Sequence, residues 1–405
     1  MIDMKNTLGG LLTVAALGVA ASPAFAEAPL YQFDDGTMLH LLCSGEVQFN
    51  DNLYLSASGK DSDVILKVIP GLEVSKGGKD TESSLKLVVK EDLTMYMSDD
   101  ENNYQGTHAN LAYTYAGSRL NASVAAGFDM NQNTTNRDNR NVAGKAGQLV
   151  RYYSYYSRVN GSYKIGENVS VSSGFSWNGL TYDNHRDTYN DRQTYAVPLS
   201  LYHKVLTEKL RAGLSYEFRY TDLAANGNQR KTGLNPGYQQ VHFFGVSAVG
   251  EATEKLTIDG RIGYTTSDYS RRSKKLGSQS RENTLGFNGA LNYLMTEKTT
   301  ARLAFNRDFE IAGNGDSITS TGVGLSLMHS VDTEWSLRAG VDYRRDDYND
   351  YDRCDDVYTL SAGATYAINS YLGVSADYRF QWDDSDMDSM RYTNNIVTLS
   401  LNFRY

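Results

Sequence analysis

Long hydrophobic runs are missing from this chain. After residue 26 no window offers about eighteen consecutive apolar residues, so helices cannot carry it across a bilayer. Mean hydropathy is only -0.49. Proline is scarce, five in 405 residues, which removes the commonest interruption of long strands. Cysteine is scarcer still. Cys43 and Cys354 cannot build a disulfide scaffold, and the topology read below puts them at opposite ends of the strands, so two free thiols are expected. No Cys-x-x-Cys or His-x-x-x-His spacing occurs, and no metal or cofactor is called for. Basic clusters are absent as well. The 39 lysines and arginines are dispersed among 48 acidic residues, for a net charge of -9, which argues against a nucleic-acid partner.

Catalytic groupings are also lacking. Ser247 lies in Gly245-Val246-Ser247-Ala248-Val249-Gly250, which misses the spacing of a nucleophile elbow. Of the six histidines, His203, His242 and His329 share parity with apolar neighbours near strand ends, where snorkelling interfacial rings are expected. His185, beside Asp183, Arg186 and Asp187, belongs to a polar loop, and solvated charge accounts for it. The acidic stretches 346–352 and 383–386 lack the spacing of a calcium loop. An enzyme is the least expected reading.

What is present begins with a leader. Lys5, a small-and-apolar run from Leu8 to Ala21, and Ala24-Phe25-Ala26 have the form of a secretory signal over residues 1–26. Thirty Tyr and 36 Gly then suit a chain of strands and turns. Alternation is the central pattern. Val397, Leu399, Leu401, Phe403 and Tyr405 share one face of the last segment, while Thr398, Ser400, Asn402 and Arg404 share the other. A recurrent turn precedes further segments of this kind. Thr207-Glu208-Lys209, Thr253-Glu254-Lys255, Thr296-Glu297-Lys298, Thr333-Glu334-Trp335 and Asn369-Ser370 each lead into an alternating run.

Strands are expected near 46–57, 62–75, 84–98, 104–117, 119–132, 149–165, 167–182, 192–206, 209–223, 238–251, 255–269, 281–295, 298–311, 318–331, 335–348, 355–368, 370–383 and 391–405. Pro70 and Pro198 interrupt two of them, each marking a bulge or a shifted boundary. The reading is an all-β, transmembrane, antiparallel up-and-down barrel of about eighteen strands, with sixteen as the alternative. It has short periplasmic turns and long outer loops such as 131–148, 183–192 and 270–281. Residues 27–45 are left as a periplasmic or lumenal segment and 46–405 as the barrel.

Parity assigns the two faces. Arg211, Glu217, Arg219, Asp259, Arg261, Arg302, Asp308, Glu310, Arg338, Asp342, Arg344, Asp377 and Arg379 lie opposite the apolar stripes. A lipid-facing Arg or Lys at the midplane costs about 2–4 kcal/mol, so these charges are expected to line the interior. A barrel of this size leaves an aqueous channel unless plugged, and neither residues 27–44 nor any loop is long enough to form a plug domain. Aromatics toward both strand ends match interfacial girdles.

The stretch from Gly373 to Phe380 and the ending from Tyr392-Thr393-Asn394-Asn395 to Tyr405 resemble the bacterial outer-membrane β-barrel porin family, including its exopolysaccharide-associated members. The alternating, aromatic-terminated ending also resembles a barrel-assembly signal, carried here by Phe403 and Tyr405. The resemblance covers mainly the C-terminal half. It implies a passive pore for small hydrophilic solutes or, for the exopolysaccharide-linked members, a part in secretion. A closed adhesive or structural barrel stays open as a third reading. The partners implied are outer-membrane lipid and lipopolysaccharide, the barrel-assembly machinery and the solutes; a homo-oligomer is left open.

Overall fold

The computed structural model describes residues 29–78, 81–133, 149–184, 188–205, 209–232, 237–269, 281–349 and 352–405. The leader, the His185–Asp187 stretch, Thr207-Glu208, and most of the loops expected at 131–148 and 270–281 lie outside the described residues.

A two-residue strand, β1 (Tyr31–Gln32), precedes the long strands. These are β2 (Met38–Asn50), β3 (Asp63–Lys76), β4 (Ser83–Tyr96), β5 (Tyr104–Ala116), β6 (Leu120–Asn133) and β7 (Val150–Lys164). Next come β8 (Val169–Tyr182), β9 (Arg192–Lys204), β10 (Leu210–Leu223), β11 (Tyr238–Glu251), β12 (Leu256–Tyr269) and β13 (Arg281–Thr296). The last are β14 (Thr299–Ile311), β15 (Ser317–Ser330), β16 (Trp335–Tyr348), β17 (Arg353–Ala367), β18 (Leu372–Ser385) and β19 (Tyr392–Arg404). Each pairs antiparallel with its sequence neighbour, and β19 pairs with β2 from Ile396↔Asn50 to Arg404↔Leu42. Eighteen strands therefore close on themselves. Closure gives every long strand a partner on both sides, which is what lets a sheet stand in hydrocarbon.

Burial is inverted relative to a water-soluble core. Leu214 is 68% exposed and its neighbour Ser215 is 9% exposed, because alternate residues face out to lipid and in to the lumen. Leu201, Val246, Ile262, Leu285 and Leu399 continue the exposed apolar band. Tyr216–Phe244 and Tyr358–Trp382 pair aromatic rings along it.

The recurrent turn works through its first polar side chain. Thr253 Oγ1 accepts from the Lys255 and Leu256 amides, Asp332 Oδ1 from Glu334 and Trp335, and Asn369 Oδ1 from Tyr371 and Leu372. A side-chain oxygen thus satisfies amides that a tight turn would leave open. The bonds from Trp335 and Glu334 hold the Asp332 carboxyl below its ordinary range.

Three expectations change. The first barrel strand begins at Met38, not at Glu46, so the last part of the expected 27–45 segment, from Met38 on, is wall. The run His40-Leu41-Leu42-Cys43 breaks strict alternation and hides the strand, yet β19 needs this partner to close. What precedes it stays at the short-turn rim. β1 folds back on β2 through Tyr31↔Leu39, and Asp35 meets Lys76 at 2.7 Å. That contact and the bonds from Thr37 pull the Asp35 carboxyl down to about 2. Second, the strand expected to run to residue 57 ends at Asn50, whose Oδ1 accepts the Asn52 amide, and the chain turns over the mouth. Third, neither proline makes a bulge. Pairing resumes in the same register across Pro70, from Val68↔Leu93 to Gly71↔Lys90, and across Pro198, from Ser173↔Leu199 to Ser176↔Ala196. Each proline only removes a rung. Cys43 and Cys354 are both unpaired, as expected.

Candidate functional site: the lumen and its mouth

Inward-facing charges tie the wall together from strand to strand. Arg338 in β16, Gly363 in β17 and Asp377 in β18 form one rung. Arg338 Nε donates to Asp377 Oδ1 at 2.8 Å and its Nη1 to Thr365 at 2.9 Å. The pair reaches across two strands because Gly363 lacks the side chain that would block it. Arg302 donates to Asn292 at 3.1 Å, and Arg344 meets Asp346 at 2.9 Å. Asp342 stands in the field of Arg379. Arg211 and Asp259 lie on the lumenal face of β10 and β12. At the short-turn end Glu73 joins Arg404 at 3.1 Å and Lys86 at 2.9 Å.

Four more of the expected residues gather into a single cluster. Arg261 grips Glu217 through both nitrogens, at 2.8 and 3.2 Å, and lies 4.5 Å over the Phe243 ring. Arg219 grips Asp308 at 2.8 and 3.0 Å and donates to the Phe309 carbonyl at 2.8 Å. Cations and carboxylates alternate through the group, which offsets the desolvation each would suffer alone.

The position of Asp308 is not what parity implies. β10 and β14 are four strands apart, about 19 Å along a wall with the usual spacing, far beyond the joint reach of one arginine and one aspartate. The contact exists because β14 leaves the wall. Its ladder with β13 stops at Phe287↔Arg307, although β13 continues to Arg281 and β14 to Ile311. Above that point the β14–β15 hairpin, still laddered to β16 as far as Ile318↔Tyr348, folds inward against β12 and β13. Tyr269 in β12 bonds Ser317, and Arg307 bridges Thr284 at 2.9 Å and Thr321 at 2.5 Å. Phe309 is 2% exposed, although it continues the lipid-facing stripe of Ala301, Leu303 and Phe305. Glu310 travels with the same hairpin.

The hairpin tip reaches the β8–β9 segment across part of the mouth. The Asn190 amide donates to the Gly313 carbonyl at 2.7 Å. Asn190 is itself clamped by Gln229 at 2.7 Å, and Asn226 holds the Thr188 carbonyl at 2.9 Å, at the start of a short helix α1 (Gly227–Thr232). Ala312, Ile318 and Tyr348 form one buried cluster, and Val150, Tyr182 and Tyr189 another. Leu53 packs with Ile65, Tyr96 and Leu149 in a third. The long-loop end is therefore narrowed by folded chain.

Close approach of the strands in this wall comes from glycine. Gly245, Gly263 and Gly286 occupy one lumenal row across β11, β12 and β13. A Cβ at Gly263 would strike the Phe244 carbonyl, and one at Gly286 would strike Thr265. Sequence reading missed this row and the Asn190–Gln229 clamp, because each is defined by register and not by spacing along the chain. Several charges depart from the parity rule: Asp268–Arg281 and Arg345–Asp347 pair on the lipid-facing parity toward the long-loop end, and Arg307 shares that parity in β14. Glu91 lies on the lipid face of β4 amid Leu85, Leu87, Val89 and Leu93, where Gln105 and Thr107 donate to it at 2.6 and 2.9 Å.

At the closing seam the last residue is laced to the first long strand. Leu41 and Tyr405 exchange backbone bonds at 2.6 and 2.9 Å, and Tyr405 packs on Tyr371 at 5.2 Å and stacks on Phe403 at 6.5 Å.

A closed antiparallel barrel with an apolar exterior and a charged interior defines an outer-membrane β-barrel protein. More narrowly, the chain belongs to the family described as "Putative beta-barrel porin 2", whose sequence model matches residues 43–405. No curated protein matches the sequence. Among solved structures, OccAB3 of Acinetobacter baumannii is similar at 12% identity and TM-score 0.45, over 91% of this chain and 99% of that one. OpdL of Pseudomonas aeruginosa has the same identity and TM-score, over 91% and 98%. The ferric-catecholate import receptor Fiu from E. coli K12 follows at 10% and 0.44, over 92% and 82%.

Proposed function

We propose that this barrel is an outer-membrane channel through which small hydrophilic solutes diffuse passively. The observation that carries the reading is an eighteen-strand closed wall lined by charged rungs, with residues 29–37 held at the rim and not threaded through the lumen. Barrels of about sixteen to eighteen strands leave water inside when nothing fills them. Mixed Arg and Asp rungs favour polar solutes over apolar ones. The narrowed mouth sets the size limit.

Single-channel recording in planar bilayers, with swelling of sugar-loaded liposomes, tests this. The expected result is stepwise conductance and swelling by small sugars. A folded barrel that conducts neither alone nor after the mouth contacts are cut would overturn the reading. The buried clusters at the mouth favour a second reading, a closed barrel that presents its long-loop end as a binding surface, and that reading predicts no conductance in any variant.

A further inference from the structure

We propose that the β14–β15 hairpin is the gate of this channel: residues 308–320 leave the lumen when β14 re-pairs with β13, and Arg219–Asp308 is the latch that holds them inside. The proposal rests on the channel reading and names how that same passage is regulated.

Unused strand remains on both sides of the split. Residues 281–286 of β13 pair only with β12, and residues 308–311 of β14 pair only with β15. Continuing the existing register would set Gly286 opposite Asp308, Leu285 opposite Phe309 and Thr284 opposite Glu310. The side chains suit that position. Phe309 and Ile311 would join Leu285, already 57% exposed, on the lipid face, while Asp308 and Glu310 would face the lumen. A one-residue slip would invert this pattern, so the register is specified by the sequence.

The tucked position is held by polar contacts that can be exchanged: the Arg219 fork on Asp308, the Asn190–Gly313 backbone bond, and Tyr269 and Asn349 on Ser317. Ile318 stays buried and laddered against Tyr348, so the end of β16 moves with the hairpin. Phe309 loses little by leaving, since its destination is hydrocarbon or the interface and not water. Arg307 sits at the last shared pair and holds both banks of the split, which places the hinge there. Gly315, at φ +87°, closes the turn at the tip, its amide donating to the Ala312 carbonyl at 3.0 Å.

Two disulfide pairs, each in a Cys43→Ser, Cys354→Ser background, separate the states. Asn190→Cys with Gly313→Cys joins backbones that now touch, and its oxidation is expected to cut conductance at least tenfold, with recovery on reduction. Leu285→Cys with Phe309→Cys are opposite only after re-pairing. This bridge is expected to form in the membrane-embedded protein and to fix a conducting state. An oxidised first pair that conducts like its reduced form overturns the gate while leaving the channel intact. Failure of the second bridge to form under the same oxidation overturns the gate whatever the conductance. Formation of the second bridge without conductance supports the hairpin movement and removes the channel reading.

Discussion

Two arginine–aspartate pairs face the lumen and share their chemistry, yet they do different things. Arg338–Asp377 crosses two adjacent ladders over a glycine and belongs to the wall. Arg219–Asp308 crosses a gap that the wall alone would keep open, and exists only because a hairpin has folded in. Partner identity therefore says little about role. The number of strands between partners separates a rung from a clasp.

Glycines beside the two pairs give the widest predicted contrast. Gly263→Val pushes a side chain against the Phe244 carbonyl, which is backbone and cannot yield, and the folded barrel is expected to be lost. Gly363→Val meets only the ends of the Asp377 and Arg338 side chains and is expected to fold. Heat-modifiable mobility on gels reads both outcomes, and equal behaviour would erase the distinction. Next in size is the pair itself. Asp308→Ala leaves the Arg219 charge only the looser Glu217 contact at 3.7 Å, and at roughly 3 kcal/mol, the low end for a buried pair, amide exchange in residues 309–320 should rise about a hundredfold. Asp377→Ala should cost about 1 kcal/mol or less and leave that exchange unchanged.

The smallest effect concerns a third pair, Asp35–Lys76, fully exposed at the opposite rim. The Asp35 carboxyl is held down to about 2 by Lys76 and Thr37, below its ordinary 3.8. A depressed folded value contributes above 3.8 and is lost as pH falls through 2. Acidification across that window should therefore loosen β1, seen as faster exchange at Thr37, with the barrel unchanged. Exchange that rises instead between pH 6 and 5 would assign the clip to another group.

Most of the wall is legible in the sequence. The strands at 238–251 and 335–348 fall where alternation and turn residues place them, because a tight turn fixes one end of each. The lumenal charges follow from parity alone. Parity fails where the chain does something that alternation cannot record. Ala301, Leu303, Phe305 and Phe309 share one parity, and the only mark of where β14 departs is Arg307, a charge set in that same stripe. The lumenal glycine row is equally silent, since Gly245, Gly263 and Gly286 become neighbours only when three strands are set in register. The first strand was hidden for a different reason: consecutive apolar residues at 41–43 carry no period.

The seam between β19 and β2 also governs how such a chain can be made. Ser44 Oγ donates to Asn402 Oδ1 across 358 positions of sequence, and the Tyr405 amide pairs with Leu41 beside it. Every other ladder joins neighbours in the chain and can zip as soon as its hairpin exists. This one waits for β19 to be synthesised. Until then β2 and β18 are bare edges able to template pairing with other chains, and the final closure carries the largest loop-entropy cost of the whole process. A chain shortened by its last strand would be trapped at that stage as an open, self-adhesive sheet.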